Sequence, residues 1–260
     1  MPAVRVYGNG RSGAAYTDRL RQQGYEVAVF DRRGDAVTCV DGDDTSEAVA
    51  AILALPRGTD TPVALAAIDP LQVGRVVDLT TQTPALARGN AERWRSLGGY
   101  AYHAGGSNGG ERAVRAGRSY LLLGPRCDEP LWRVMRAVGH VTEFDSVEEA
   151  VTLKLCHNAF LVVENELARQ LAGFCERRGI TLERLVKVVD DGPAGRRFDD
   201  LTAIRHLSGG YESSYVGEYA AKDWRHFLET LTEEEADHFS FVAADLLEQR
   251  LSSRGRRPWV

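Results

Sequence analysis

Four cysteines in 260 residues, none in a CxxC pair, offer neither a disulfide framework nor a thiolate metal cluster. Cys39, Cys127, Cys156 and Cys175 stand far apart. Cys156 and Cys175 fall in an apolar helical stretch, where a free thiol packs as a small hydrophobe. The six histidines form no HxxxH or HExxH pair, so no metal site is expected. The chain has no run of about 18 uncharged apolar residues and no basic segment leading into an apolar one at its start. Both absences argue against a bilayer span and a secretory leader. Excess charge is also missing: a net -5 and a pI of about 5.7 give no electrostatic case for nucleic acid or an anionic membrane. The expectation is a soluble protein of a reducing cytoplasm. Hydrophobic residues at 43% and charged residues at 27% suit one large or two modest globular cores.

What is present is concentrated in residues 4–31. Val4, Val6 and Tyr7 form a short apolar run that stops at Gly8-Asn9-Gly10-Arg11-Ser12-Gly13. A helical stretch follows to Gln23, Gly24 breaks it, and Val27–Phe30 delivers Asp31. In a dinucleotide site Gly8 permits the tight turn, Gly10 admits a pyrophosphate to the backbone, and Gly13 lets helix and strand pack closely. The helix N-terminus adds unpaired N–H groups and the positive end of a dipole. Asp31 stands where a carboxylate accepts from an adenosine ribose. It favours NAD slightly over NADP, while Arg32 and Arg33 beside it could bind a 2′-phosphate.

The rest of the first half alternates strands and helices. Ala48–Leu55 and Val73–Leu79 read as buried parallel strands. A helix near Pro84–Leu97, a strand at Ala101–His103, a glycine cluster and the strand Tyr120–Leu123 follow. Leu131–Val138 reads as helix and Val141–Phe144 as a last strand. This rhythm predicts an α/β fold, an N-terminal doubly wound Rossmann sheet over 1–147. An all-α C-terminal domain is expected over 148–260. It opens with a helix from Val147 to Arg178 that is apolar on most of its circumference around Val151–Val163. So wide an apolar surface predicts a homodimer burying it between subunits.

Five motifs, in order, resemble those of the β-hydroxyacid dehydrogenase family, which includes 3-hydroxyisobutyrate dehydrogenase and tartronate semialdehyde reductase. They are the glycine turn with Asp31, then Asp78-Leu79-Thr80-Thr81-Gln82-Thr83-Pro84, then Asn108-Gly109-Gly110 with Gly117 downstream. Lys154-Leu155-Cys156-His157-Asn158 and Lys222-Asp223 complete the series. The resemblance implies NAD or NADP as cofactor, with Thr80 and Thr81 near the nicotinamide. It implies substrate binding at Ser107, Asn108, Gly109 and Gly110, and catalysis by Lys154 with Asn158 as its partner. Lys222 would line the same cleft and is the rival proton donor. The chain departs from the family where Asn108 replaces a serine, Gly106-Ser107 replace Pro-Val, and His157 replaces the first Asn of a pair. It is also shortened between Pro56 and Asp69 and at its C-terminal end.

Helical spacing supports the fourth motif independently. Lys154 and Asn158 are i,i+4 and share a face. Val151, Leu155 and Phe160 around the lysine would strip its hydration and lower its pKa, readying it for proton transfer. His157 points about 100° away and reads as a packed or supporting residue. Arg196 and Arg197 after a glycine-rich turn could clamp a carboxylate, phosphate or phosphonate, or sit in a solvated loop. Tyr211, Tyr215 and Tyr219 read as packing, and Glu233-Glu234-Glu235 as a helix start.

The leading reading is hydride transfer between a nicotinamide cofactor and a small hydroxy acid or its aldehyde or keto form. Imine reduction on the same fold is an alternative, against which Lys154 counts, because that branch usually carries Asp or Tyr there. Oxidative decarboxylation of a phosphorylated or phosphonate hydroxyacid is another. A dinucleotide-binding module without turnover is the alternative outside enzymes.

Overall fold

The computed structural model describes residues 2–34, 36–42, 47–191 and 222–232. The chain forms two compact units, Met1–Leu155 and Cys156–Val260.

The first unit is built on one sheet of eight strands. They are β1 (Ala3–Tyr7), β2 (Glu26–Arg33), β3 (Ala36–Asp41), β4 (Ala48–Leu53), β5 (Arg75–Asp78), β6 (Ala101–Asn108), β7 (Ser119–Gly124) and β8 (Gly139–Glu143). Their order in the sheet is β3-β2-β1-β4-β5-β6-β7-β8. Chain order reverses between β1 and β4, which makes the carboxyl end of β1 a topological switch point. Strands β2, β1, β4, β5 and β6 run parallel. Their apolar runs are buried on both faces, with Val4, Val6, Val29, Ala50, Ile52 and Val77 at 1% exposure or less.

The strands are joined by α1 (Arg11–Gln22), α2 (Thr61–Ala66), α3 (Pro84–Ser96), α4 (Gly110–Arg115) and α5 (Glu129–Val138). Local chemistry sets where these helices begin. Thr83 caps α3 by accepting from the Leu86 N–H at 3.3 Å, with Pro84 at its first position. Asp128 caps α5 in the same way from Leu131. Leu20 of α1, with Leu131 and Met135 of α5, pack into the core at 0% exposure. Each such side chain contributes about 1.5–3 kcal/mol of burial.

Two pairings in this mainly parallel sheet are antiparallel. β2 and β3 form an antiparallel hairpin with Arg33 opposite Ala36, because two intervening residues cannot make a crossover. β6 and β7 are also antiparallel. Their link contains only the six-residue α4, too short for a parallel return. The glycine cluster is not a loop: β6 continues through Gly105 and Gly106 to Asn108, paired with Leu123, Leu122 and Tyr120.

Helix α6 (Val147–Glu176) and α7 (Leu182–Asp190) follow. Gly179, at φ +70°, closes α6 while the Ile180 N–H returns to the Cys175 carbonyl. The regular elements among the described residues of the second unit are helices, including one over 222–228 in which Trp224 and Phe227 are buried. The protein is therefore an N-terminal Rossmann sheet followed by a helical region. Two details of α6 differ from the expectation. Ala150, Val151, Leu155, Ala159 and Val162 are buried, but Leu153 and Phe160 are exposed, so the apolar circumference divides into two stripes. Cys156 lies exposed rather than packed. No helix among the described residues is long and apolar enough to cross a membrane.

Candidate functional site

The glycine turn closes the carboxyl end of β1. Gly8, at φ +102°, donates its N–H to the Phe30 carbonyl, and a Cβ there would run into the backbone of Ala54. Gly13 sits inside α1, and a Cβ on it would collide with the Gly8 carbonyl. Gly10 differs: a Cβ would meet no atom of the described residues within 4 Å. Gly10 is the N-cap of α1 and offers the first-turn amides no side-chain cap, and Asn9, Arg11 and Ser12 around it are exposed. Arg11 is held 2.5 Å from Glu111 of α4, and Glu111 also meets Arg115, which reaches Asp18. At the end of β2, Asp31 accepts the Arg32 amide at 2.8 Å, while the Arg32 guanidinium bonds the Gly34 carbonyl. Arg33 is exposed beside them.

The motif after β5 forms a buried polar knot around Asp78. Its carboxylate accepts from the Thr61 hydroxyl, the Thr80 N–H and the Gln82 amide at 2.9 Å each, and from the Tyr102 hydroxyl at 2.8 Å. Asn90 donates to the far side of the Gln82 amide. Burial pushes the Asp78 carboxyl above its ordinary range against these four donors, and burial with the nearby carboxylate drives the Tyr102 phenol well up. Thr80 is buried, and its hydroxyl accepts the Leu55 N–H at 3.0 Å, tying the end of β4 to the end of β5. Thr81 is half-buried next to it.

The third cluster stands at the carboxyl end of β6. Lys154 of α6 is 7% exposed. Its Nζ donates to the Ser107 carbonyl at 2.8 Å and to Oδ1 of Asn108. Both of these acceptors are neutral. Val151 and Leu155 are buried beside it in sequence, but Phe160 is exposed and does not supply the expected cover. The covering group is the backbone of Gly106, across which the lysine stem lies. Gly109, at φ +101°, turns the chain into α4, with Gly110 next and Gly117 closing that helix. Tyr16 of α1 is buried and hydrogen-bonds the Ser107 side chain; burial pushes its phenol up to about 12. Sequence reasoning passed over Tyr16 and Gly106. The only signal was the Gly106-Ser107 departure from the family's Pro-Val.

In the second unit, Asn158 donates to Oδ2 of Asp223 at 2.8 Å, and Lys222 Nζ lies 3.7 Å from the other oxygen of that carboxylate. His157 is exposed, with its Nδ1 3.4 Å from Oδ1 of Asn158. Arg196, Arg197, the three tyrosines 211, 215 and 219 and the acidic run at 233–235 lie outside the described residues.

No protein-family model and no curated protein matches this sequence. Solved structures do. The chain is similar to 3-hydroxyisobutyrate dehydrogenase of Mycobacterium tuberculosis, solved with L-serine, at 18% identity and a TM-score of 0.74, covering 97% of this chain and 94% of that one. It is similar to Psf3 in complex with NADP+ and 2-OPP at 21% identity and 0.76, covering 96% and 93%. A reductive aminase of Aspergillus terreus in complex with NADPH4, cyclohexanone and allyl amine matches at 15% and 0.64, over 97% and 94%. The chain therefore has a β-hydroxyacid dehydrogenase-like fold.

Proposed function

We propose that this protein is a nicotinamide-dinucleotide oxidoreductase that interconverts a small hydroxy acid and its aldehyde or keto form. The observation that carries the reading is Lys154: a buried lysine whose Nζ donates to the Ser107 carbonyl and to Asn108 at the carboxyl end of β6. A second, separate feature fits the cofactor. Gly8 and Gly13 are glycines because backbone fills their side-chain space, whereas the space before Gly10 is open and the α1 amides behind it carry no side-chain cap. That is the cradle a pyrophosphate needs. When bound, the nicotinamide would supply or take the hydride.

Lys154 acts on the proton. In reduction its Nζ gives a proton to the substrate oxygen, and in oxidation the neutral amine takes one from the alcohol. By the resemblance, Asn158 would contact the substrate, and Lys222, beside Asp223, would line the cofactor cleft. Asp31 suits a free ribose. Arg32 and Arg33 suit a 2′-phosphate, and two of the similar structures were solved with NADP+ and with NADPH. Kinetics with both cofactors decides between them.

The test follows nicotinamide absorbance with a panel of hydroxy, aldehydo and keto acids, one phosphonate hydroxyacid and one cyclic imine. Turnover of the acids and a fall in kcat of roughly two to four orders of magnitude in Lys154→Ala support the reading. Cofactor binding without turnover on any substrate would make the protein a dinucleotide-binding module. Preference for the imine would move it to imine reduction. Loss of kcat in Lys222→Ala but not Lys154→Ala would exchange the two lysines' roles.

A further inference from the structure

Strand β6 carries two successive glycines with different neighbours. A Cβ on Gly105 would strike the Leu122 carbonyl of β7, so that glycine serves the pairing of the sheet. A Cβ on Gly106 would instead lie 2.6 Å from Cγ and from Cδ of Lys154 and 2.8 Å from its Cε. Three consecutive methylenes of the lysine occupy the place of the missing side chain. Gly106 is buried, and its backbone lies outside the positive-φ region, so the need for glycine is one of space alone. The next two residues of the same strand supply the acceptors for Nζ.

We infer that Gly106 is a positioning residue for Lys154: its bare backbone is the floor of a slot that fixes the lysine stem and so delivers Nζ to Ser107 and Asn108. The stem is a flexible chain, but Cγ is anchored close to α6. A methyl group at 106 must therefore send the whole stem into another rotamer. The inference deepens the proton-transfer reading and rests on it only for its effect on rate.

The test is Gly106→Ala, measured in three ways on the full chain. First, kcat should fall about 10- to 100-fold, as for a reacting group displaced by about 1 Å, with the cofactor Kd unchanged. Second, the chain has only three lysines, Lys154, Lys187 and Lys222. In 15N-lysine-labelled protein, with Lys154→Arg providing the assignment, the Lys154 Nζ resonance should move while the other two stay. Third, Gly106→Ala should lower Tm in the native background and have little effect in Lys154→Ala, where the vacated slot accepts the methyl. The second and third readouts need no turnover, so they remain decisive even if the oxidoreductase reading fails. The inference is overturned if the Lys154 resonance stays in place, or if the Tm loss is equal in the two backgrounds. It is also overturned if an active enzyme keeps its kcat within twofold.

Discussion

Removing the Asp78 carboxylate gives the most exacting test of how the site is held. Four donors converge on it inside the protein, and two of them, the Thr80 N–H and the Gln82 amide, are fixed by backbone or by the second bond from Asn90. The hydroxyls of Thr61 and Tyr102 can rotate to seek other acceptors. Asp78→Ala therefore strands at least two buried donors, each worth about 1–3 kcal/mol, and should destabilise by about 4 kcal/mol. Asp78→Asn keeps the shape and one acceptor oxygen but turns an N–H2 toward one of the donors. It also removes the burial penalty of the charge, so its loss should be about 1–2 kcal/mol. The sign with pH follows from the raised carboxyl pKa. The folded state holds this proton more tightly than the unfolded chain. The group's contribution is thus fully present below the ordinary value of 3.8 and is lost as pH rises through the folded pKa. Urea unfolding at a series of pH values, followed by tryptophan fluorescence, measures both effects. Asp78→Asn should abolish that downward slope. A loss below about 1 kcal/mol in Asp78→Ala would refute the account of these bonds as what holds the Asp78 knot together.

Gly13→Ala must push α1 away from the Gly8 carbonyl, so dinucleotide binding, followed by nicotinamide fluorescence, should weaken at least tenfold; unchanged affinity would disconnect the turn from the ligand. His103 is buried with its Nδ1 2.8 Å from the Pro125 carbonyl, and burial lowers its pKa from the ordinary 6.5. Its contribution to stability is complete above that value and is lost as pH falls through the folded pKa, so His103→Gln should flatten the acid side of a Tm-against-pH curve. Leu153, Phe160, Leu171 and Phe174 form one exposed apolar stripe along α6, in keeping with a homodimer. Light scattering should give twice the chain mass at micromolar concentration, and Phe160→Asp should reduce it to the monomer. A native monomer would remove the assembly proposal.

The parts legible in the sequence are those whose determinants are local. The glycine turn, the Thr83-Pro84 start of α3 and the Gly179 stop of α6 are each written within a few neighbouring residues. The apolar runs of β1, β4 and β5 are buried on both faces, and the one polar residue inside them, Arg5 of β1, is itself buried. β3 escaped detection because it is an edge strand. Val37 and Val40 are only half-covered and the rest of Ala36–Asp41 is exposed, which leaves no apolar run to see. The end of β6 was hidden for the opposite reason. Gly105-Gly106-Ser107 has the composition of a loop, and only the partner strand β7 makes it extended.

The site divides along the same line. The i,i+4 pair of Lys154 and Asn158 is fixed by helical geometry and was readable. The partners of each were not. Asn158 bonds Asp223, 65 residues on, and Lys154 reaches Ser107 and Asn108, 47 and 46 residues back. A periodicity says which face of a helix a lysine occupies but nothing about what the sheet presents to it. What β6 presents is an absence of side chain, and a missing Cβ leaves no chemical mark in the sequence beyond the letter glycine. The same letter at Gly8 and Gly13 marks backbone contact, at Gly10 open space, and at Gly106 a lysine stem. Four glycines thus have three different causes, and only the fold distinguishes them. Substituting alanine at each is the discriminating measurement. Gly8 and Gly13 should lose the turn, Gly10 should lose only ligand, and Gly106 should lose the position of Lys154, with a fall in Tm that depends on that lysine.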